Sequence, residues 1–155
     1  MDAISWQLLI EGAWTTLWIS AIAIAFGVVI GLLIALVRML RIPVIDQLLV
    51  VYISLARATP LVTLVLFLFL SLPTVGINLD KNVAAIVALT LNTCAYTTEI
   101  FAGAIRAVPH GEIEAANAYG FSRFKMYRCI ILPSALRTAL PAYSNEVILM
   151  LHSTA

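Results

Sequence analysis

The chain has 155 residues, is 63% hydrophobic, carries 11% charged side chains and has a net charge of +1, with a mean hydropathy of +1.04. A water-soluble domain of this length cannot bury so much apolar surface, so lipid is the solvent for most of the chain. The net charge itself is uninformative, and no basic field suggests nucleic acid.

Gly12 to Val37 is a run of 26 residues without a charge, Ala58 to Leu79 one of 22, and Asn82 to Thr98 one of 17. About 20 mostly apolar residues cross a bilayer. Spans are therefore expected over about 12–37, 55–72 and 82–105, with a fourth over 135–155 and a polar loop over about 107–133. The fold class is all-α, a polytopic membrane protein in a single transmembrane domain covering 1–155. The final "LMLHSTA" holds no charge, glycine or proline that would end a helix, so the fourth span reads as truncated. The first run exceeds a signal-peptide core, and its flank carries Asp2 and Glu11 rather than a base, so a retained anchor is expected.

Span one carries Trp14 and Trp18 at one end, where an indole suits the headgroup zone. Gly27 and Gly31 have the small-xxx-small spacing of close helix contact, a common motif for which ordinary packing is the simpler reading. Next, Pro43 can open a helix and Pro60 would bend or interrupt one. Thr59 can help satisfy the backbone groups that Pro60 frees. "LPTVGINLD" reads as a short turn.

In span three, Asn92, Tyr96, Glu99, Gly103 and Arg106 fall near one line of a helix. Glu99 lies seven residues, roughly 10 Å along the axis, from Arg106, deeper than a short side chain reaches unaided. Intramembrane carboxylates are costly and usually face a bundle interior or a wet cavity. Lining a path is therefore preferred to the alternative, a partner on a neighbouring helix. Span four repeats the pattern: Thr138, Asn145 and His152 share a stripe with Glu146 beside it, and Pro141 weakens the ladder nearby. Substrate-path candidates are Asn92, Tyr96, Glu99, Asn145, Glu146 and His152. His152 alone reads equally well as a buried neutral histidine.

Between these spans, Pro109 and Gly111 are expected to break the helix leaving span three. "EIEAANAY" then starts a new helix with Glu112 and Glu114 in its first turn, where the macrodipole favours acids. Ala115, Ala116 and Ala118 keep it thin, Gly120 permits a sharp turn, Ser122 can cap a second short helix, and Pro133 is expected to stop it. The result is a helical hook that makes sense if something grips it. Arg38, Arg41 and Arg57 lie at the edges of spans one and two, and Arg106, Arg123, Lys125, Arg128 and Arg137 between spans three and four. Eight of the nine bases thus share the hook's face, which places the hook in the cytoplasm and the N-terminus outside. Cys94 and Cys129 lack a metal-ligand or redox spacing, and no disulfide, metal or cofactor is expected.

The hook also carries E-A-A-x3-G-x9-I-x-L-P without a gap, at Glu114, Ala115, Ala116, Gly120, Ile130, Leu132 and Pro133. This resembles the cytoplasmic loop of ATP-binding-cassette (ABC) importer permeases. "ARATP" at 56–60 looks like the Arg-Gly-Thr-Pro signature of the polar amino acid permeases, and "AYTTE" and "LPSALR" fit that family as well. Residues 89–155 look most like the M-type permease subunits of histidine and lysine/arginine/ornithine importers. The resemblance implies the type I ABC importer transmembrane fold and a bacterial inner-membrane location. The implied partners are ABC ATPase subunits docked on the hook, a second homologous permease and a binding protein outside. Ala58 for a frequent glycine and Leu64 for a frequent glutamine depart from the family pattern, as do Glu112 for glutamine and His152 for lysine. No phosphate-binding loop, zincin pair or nucleophile elbow is present, so the chain is not expected to be an enzyme. Glu99 and Glu146, as the acids well inside spans, favour a cationic, basic amino acid as cargo. A proton-coupled secondary transporter is the alternative, since it too needs intramembrane carboxylates but no hook.

Overall fold

The computed structural model describes residues 3–40 and 42–154, without the side chains of 3–5. Asp2, Arg41 and Ala155, used in the sequence reading, lie outside the described residues. All regular structure among those described is helical. In chain order the elements are α1 (Ala3–Met39), α2 (Pro43–Ala58), α3 (Leu61–Ser71) with a 3-10 turn at Leu72–Val75, and α4 (Lys81–Arg106). Then come α5 (His110–Ala118), α6 (Arg123–Met126), a π turn at Tyr127–Ile131 and α7 (Leu132–Thr154).

Trp6–Met39 and Lys81–Arg106 are each long and apolar enough to cross a membrane, and Pro43–Ala58 with Leu61–Val75 qualifies as a bent pair. The helix α7 has 23 residues but its polar stripe keeps it below that hydropathy. The stretch expected as one span over 55–72 is divided between two helices that meet at 104°. Pro60 causes the division: its ring forces Thr59 into extended backbone, with φ −88° and ψ 124°. Pro60 also has no N–H for the Ala56 carbonyl. Asn92 of α4 supplies that bond instead, its side-chain amide donating to Ala56 O at 3.3 Å. The Thr59 hydroxyl donates to Leu55 O at 2.8 Å.

The helix α4 is the central strut, packed on α1, α2, α3 and α7. Asp80 caps it, accepting from Asn82 N at 3.1 Å. Its buried residues are mostly small, and Thr93, Thr97, Thr98, Cys94 and Ser20 are the largest side chains that are fully buried. Bulky side chains such as Phe26, Leu33, Leu66 and Phe67 are exposed instead. That inversion suits a bundle in lipid, where close backbone approach replaces burial of bulky apolar groups as the source of helix attraction. The glycine pair of α1 sits at this contact. A β-carbon on Gly27 would lie 2.8 Å from Thr93 Cβ, and one on Gly31 would lie 2.7 Å from Thr97 Cβ and 2.9 Å from Cys94 O. Thr98 ties the same seam, its hydroxyl donating to Gly31 O at 3.1 Å and to Cys94 O at 2.8 Å.

The hook differs from expectation in three details. Gly111 lies inside α5 rather than breaking a helix, because Val108–Pro109 already makes the break and first-turn N–H groups need no helical partner. Glu112 occupies the first turn of α5 while Glu114 falls just beyond it. Pro133 does not stop a helix: α6, the π turn and α7 run on continuously. The Leu132 N–H bonds to Tyr127 O across the wider π turn, which gives the Pro133 ring room to clear the preceding carbonyls. Gly120 does turn the chain, at φ +71°, and Phe121 N closes the end of α5 by donating to Ala116 O at 3.0 Å. Ser122 then caps α6, accepting from Lys125 N at 3.4 Å.

Replacing Gly31 by leucine should force α1 from α4 and cost about 1–3 kcal/mol or more, read as a lower thermal midpoint of the detergent-solubilised protein. Gly103→Ala, at a position with no heavy atom within 4 Å of the added carbon, should leave the midpoint unchanged or raise it. Equal behaviour of the two variants would refute the close-contact account.

Candidate functional site

Two features stand out, one at mid-helix and one at the hook. The first is a cleft of about 370 Å³ where the α2–α3 break meets α4 and α7, lined among others by Arg57, Thr59, Asn92, Tyr96, Glu146 and Ser153. Pro60 opens it by ending α2, so that α3 departs at a steep angle and the cleft forms at the corner between them. The Arg57 guanidinium lies 5.1 Å from the centre of the Tyr96 ring, a cation–π distance. Glu146 projects from α7 half-buried and makes no ion pair among the described residues. A base, an unpaired acid, an amide and an aromatic face thus meet in one cleft, a set able to hold a small zwitterion or cation.

Of the six path candidates, the structure brings together Asn92, Tyr96 and Glu146. Asn145 and His152 are exposed on α7 and do not line the cleft. Glu99 is elsewhere: its Oε1 accepts from Arg106 Nη2 at 2.9 Å and its Oε2 from Arg38 Nη1 at 3.2 Å. The sequence favours path-lining for Glu99 over a partner on a neighbouring helix, and the structure shows such a partner. The long arginine side chain of Arg106 bridges two helical turns to reach it, and Arg38 arrives from α1. Arg57, counted among the bases at span edges, lines the cleft, and with Thr59 and Ser153 was not singled out as a site residue. Its adjacency to the Pro60 break was the available signal, since a break in a span exposes whatever charge precedes it.

The second feature is the hook. Ala116 is buried and joins a core with Phe101, Ala104, Val108, Met126 and Ile131, against which Ile113, Phe121 and Ile130 pack. Ala116 therefore holds α5 to its own chain, while Glu112, Glu114, Ala115 and Ala118 remain on its exposed side. Ile130 and Leu132 are half-buried and Pro133 is exposed. Tyr119, 83% exposed, and Phe124, 74% exposed, flank the Gly120 turn. Bulky aromatics beside a rigid glycine turn make a projecting surface with acids on one side and Arg123, Lys125 and Arg128 following.

The family described as binding-protein-dependent transport system inner membrane component matches residues 27–155. The histidine/lysine/arginine/ornithine transport system permease protein HisM of Escherichia coli (strain K12) is 53% identical over 154 residues, 93% of this chain and 65% of that protein. The glutamine transport system permease protein GlnP of the same organism is 39% identical over 150 residues, 96% of this chain and 68% of that protein. The chain thus spans about two thirds of the length of these curated relatives. Among solved structures, a crystal structure of an amino acid ABC transporter with histidines superimposes with a TM-score of 0.90 at 35% identity, covering 99% of this chain and 74% of that one. An inward-facing MetNI methionine ABC transporter shares the fold, with a TM-score of 0.75 at 24% identity over 99% of this chain and 74% of that one. Family match, relatives and fold agree: the chain belongs to the inner membrane components of binding-protein-dependent transport systems.

Proposed function

We propose that the chain forms part of a permease subunit of an ATP-driven importer for basic amino acids. In this reading it sits in a bacterial inner membrane with its N-terminus outside, as the bases on the hook side favour. A second homologous permease encloses the path with it, a binding protein delivers cargo, and ABC ATPase subunits grip the hook. The observation that carries the reading is Glu146, a half-buried carboxylate without an ion pair among the described residues, facing the cleft beside Arg57, Asn92 and Tyr96.

A carboxylate held away from water gains most from a cation that arrives and leaves. Glu146 meets that description, whereas the charge of Glu99 is already met by two guanidinium groups. The role proposed for Glu146 is to hold the ammonium or cationic side chain of the cargo. Arg57 faces its carboxylate, and Tyr96 supplies a π face. Asn92 is half committed, since it also supports the Ala56 carbonyl. The relative HisM is named for histidine, lysine, arginine and ornithine transport, which agrees with a cation-seeking cleft.

At the hook, Glu114 and Ala115 present the outer face of α5, and Ala116 and Ile130 anchor that helix to the bundle. Force on the hook is then carried into α4 and α7, the two helices that flank it and also line the cleft.

Three outcomes are expected in the transporter assembled with its ATPase and binding protein in vesicles. Glu146→Gln should raise the KM for arginine uptake by about tenfold or more, from the loss of one charge at short range, with basal ATP hydrolysis kept; an unchanged KM would remove Glu146 from the site. Glu114→Lys should abolish uptake while the subunit still inserts in the membrane, and retained ATP-dependent uptake would count against docking at the hook. Uptake should survive dissipation of the proton gradient while ATP is held high, and its loss would favour proton coupling instead.

A further inference from the structure

The hook end of the bundle holds a chain of four charges, Asp46–Arg38–Glu99–Arg106. Arg38 Nε donates to Asp46 Oδ1 at 2.9 Å, Arg38 Nη1 to Glu99 Oε2 at 3.2 Å, and Arg106 Nη2 to Glu99 Oε1 at 2.9 Å. Two acids and two bases cancel. The Arg38 side chain is only 13% exposed, and among these links it alone joins separate helices. It leaves the last turn of α1, meets the first turn of α2 at Asp46 and crosses to α4 at Glu99. Arg106, at the other end of the chain, is the last residue of α4, immediately before the break that leads into the hook.

Two further observations give this linkage a direction. A cleft of about 410 Å³ lies beside it, lined by Arg38, Asp46, Arg106, Pro43 and Tyr127 among others, so the corner is not locked by close packing all round. At its far end α2 stops at Thr59–Pro60, two extended residues that themselves line the mid-helix cleft. The charge chain thus fastens one end of α2 to the root of the hook, and the other end is a break between helices at the mid-helix cleft.

We propose that Arg38 is a positioning residue for coupling. It clamps the α1–α2 corner to the hook end of α4, so that displacement of the hook carries α2 with it and flexes the chain at Thr59–Pro60. The cleft then changes shape at the joint between α2 and α3. This rests on the importer reading above, and it extends the lever from α4 and α7 to α2. A guanidinium suits the role because its planar fork bonds two carboxylates at once, which a lysine ammonium on a mobile stem does less well.

The test uses the assembled transporter and reads stimulation of ATP hydrolysis by arginine-loaded binding protein, relative to the basal rate. Arg38→Lys keeps the charge and loses the fork, and should lower that stimulation at least about threefold with basal hydrolysis and thermal midpoint nearly unchanged. Arg38→Gln with Asp46→Asn removes the clamp while leaving the Glu99–Arg106 pair intact, so no buried charge is stranded. Stimulation in that variant should fall close to the basal rate. Normal stimulation in either variant would overturn the clamp, as would a loss of stimulation that only parallels a fallen thermal midpoint. An unmodified complex without any stimulation would instead overturn the importer reading itself.

Discussion

Two absent β-carbons set the geometry of this bundle. Gly27 and Gly31 let the backbone of α1 lie against Thr93, Cys94 and Thr97 of α4, and the rest of the arrangement is referred to that seam. With α1 pressed so close, Arg38 at its last turn comes within reach of Glu99. With α4 held as a strut, its Asn92 and Tyr96 meet the α2–α3 break, and its final residue delivers the chain into the hook. The forces are those of lipid, where bulky side chains gain nothing by turning inward and small ones allow contact. A bundle fixed by backbone shape moves as a unit more readily than one held by pliable side chains, which is what a lever needs.

A buried polar group in such a setting is costly when it is left without a partner. The carbonyl freed by Pro60 is met by Asn92, and Glu99 is met twice by arginine. Glu146, the same residue type as Glu99 and also on a long helix, makes no ion pair among the described residues and shares its cleft with Arg57. Identical carboxylates thus divide between an ion-paired and a cleft-lining place according to what the tertiary packing brings beside them. Arg57 divides from Arg38 in the same way: one bridges two acids and the other lies over a tyrosine ring at the cleft.

Much of this was legible from residue order alone. Runs without charge marked the long helices and Pro60 with Thr59 marked the break, whereas the glycine spacing offered close contact of α1 only behind the simpler reading of ordinary packing. The hook was legible because its signals are local: Ser122 as a cap and Gly120 as a turn act through neighbours a few residues away. What escaped depended on distance in sequence or on adaptable backbone. Arg38 lies 61 positions from Glu99, and no helical periodicity relates residues on different helices. Pro133 reads as a terminator unless the preceding turn widens, which it does. The stretch over 55–72 read as a single span because charge counting cannot see a bend, only its chemistry at Pro60. Ala115, Ala116 and Ala118 read alike, as small residues that keep the helix thin, and only packing selects Ala116 as the buried one.

The central claim is mechanical: hook, α4 and the α1–α2 corner form one body, and the chain bends at Thr59–Pro60. Spin-label distances in the assembled transporter test it directly, one pair on Ala118 and Val44 and a second on Val44 and Val62, each recorded with and without a non-hydrolysable ATP analogue. The account predicts an unchanged hook-to-α2 distance and a shifted α2-to-α3 distance when nucleotide binds. A shifted first distance with a constant second one would contradict it.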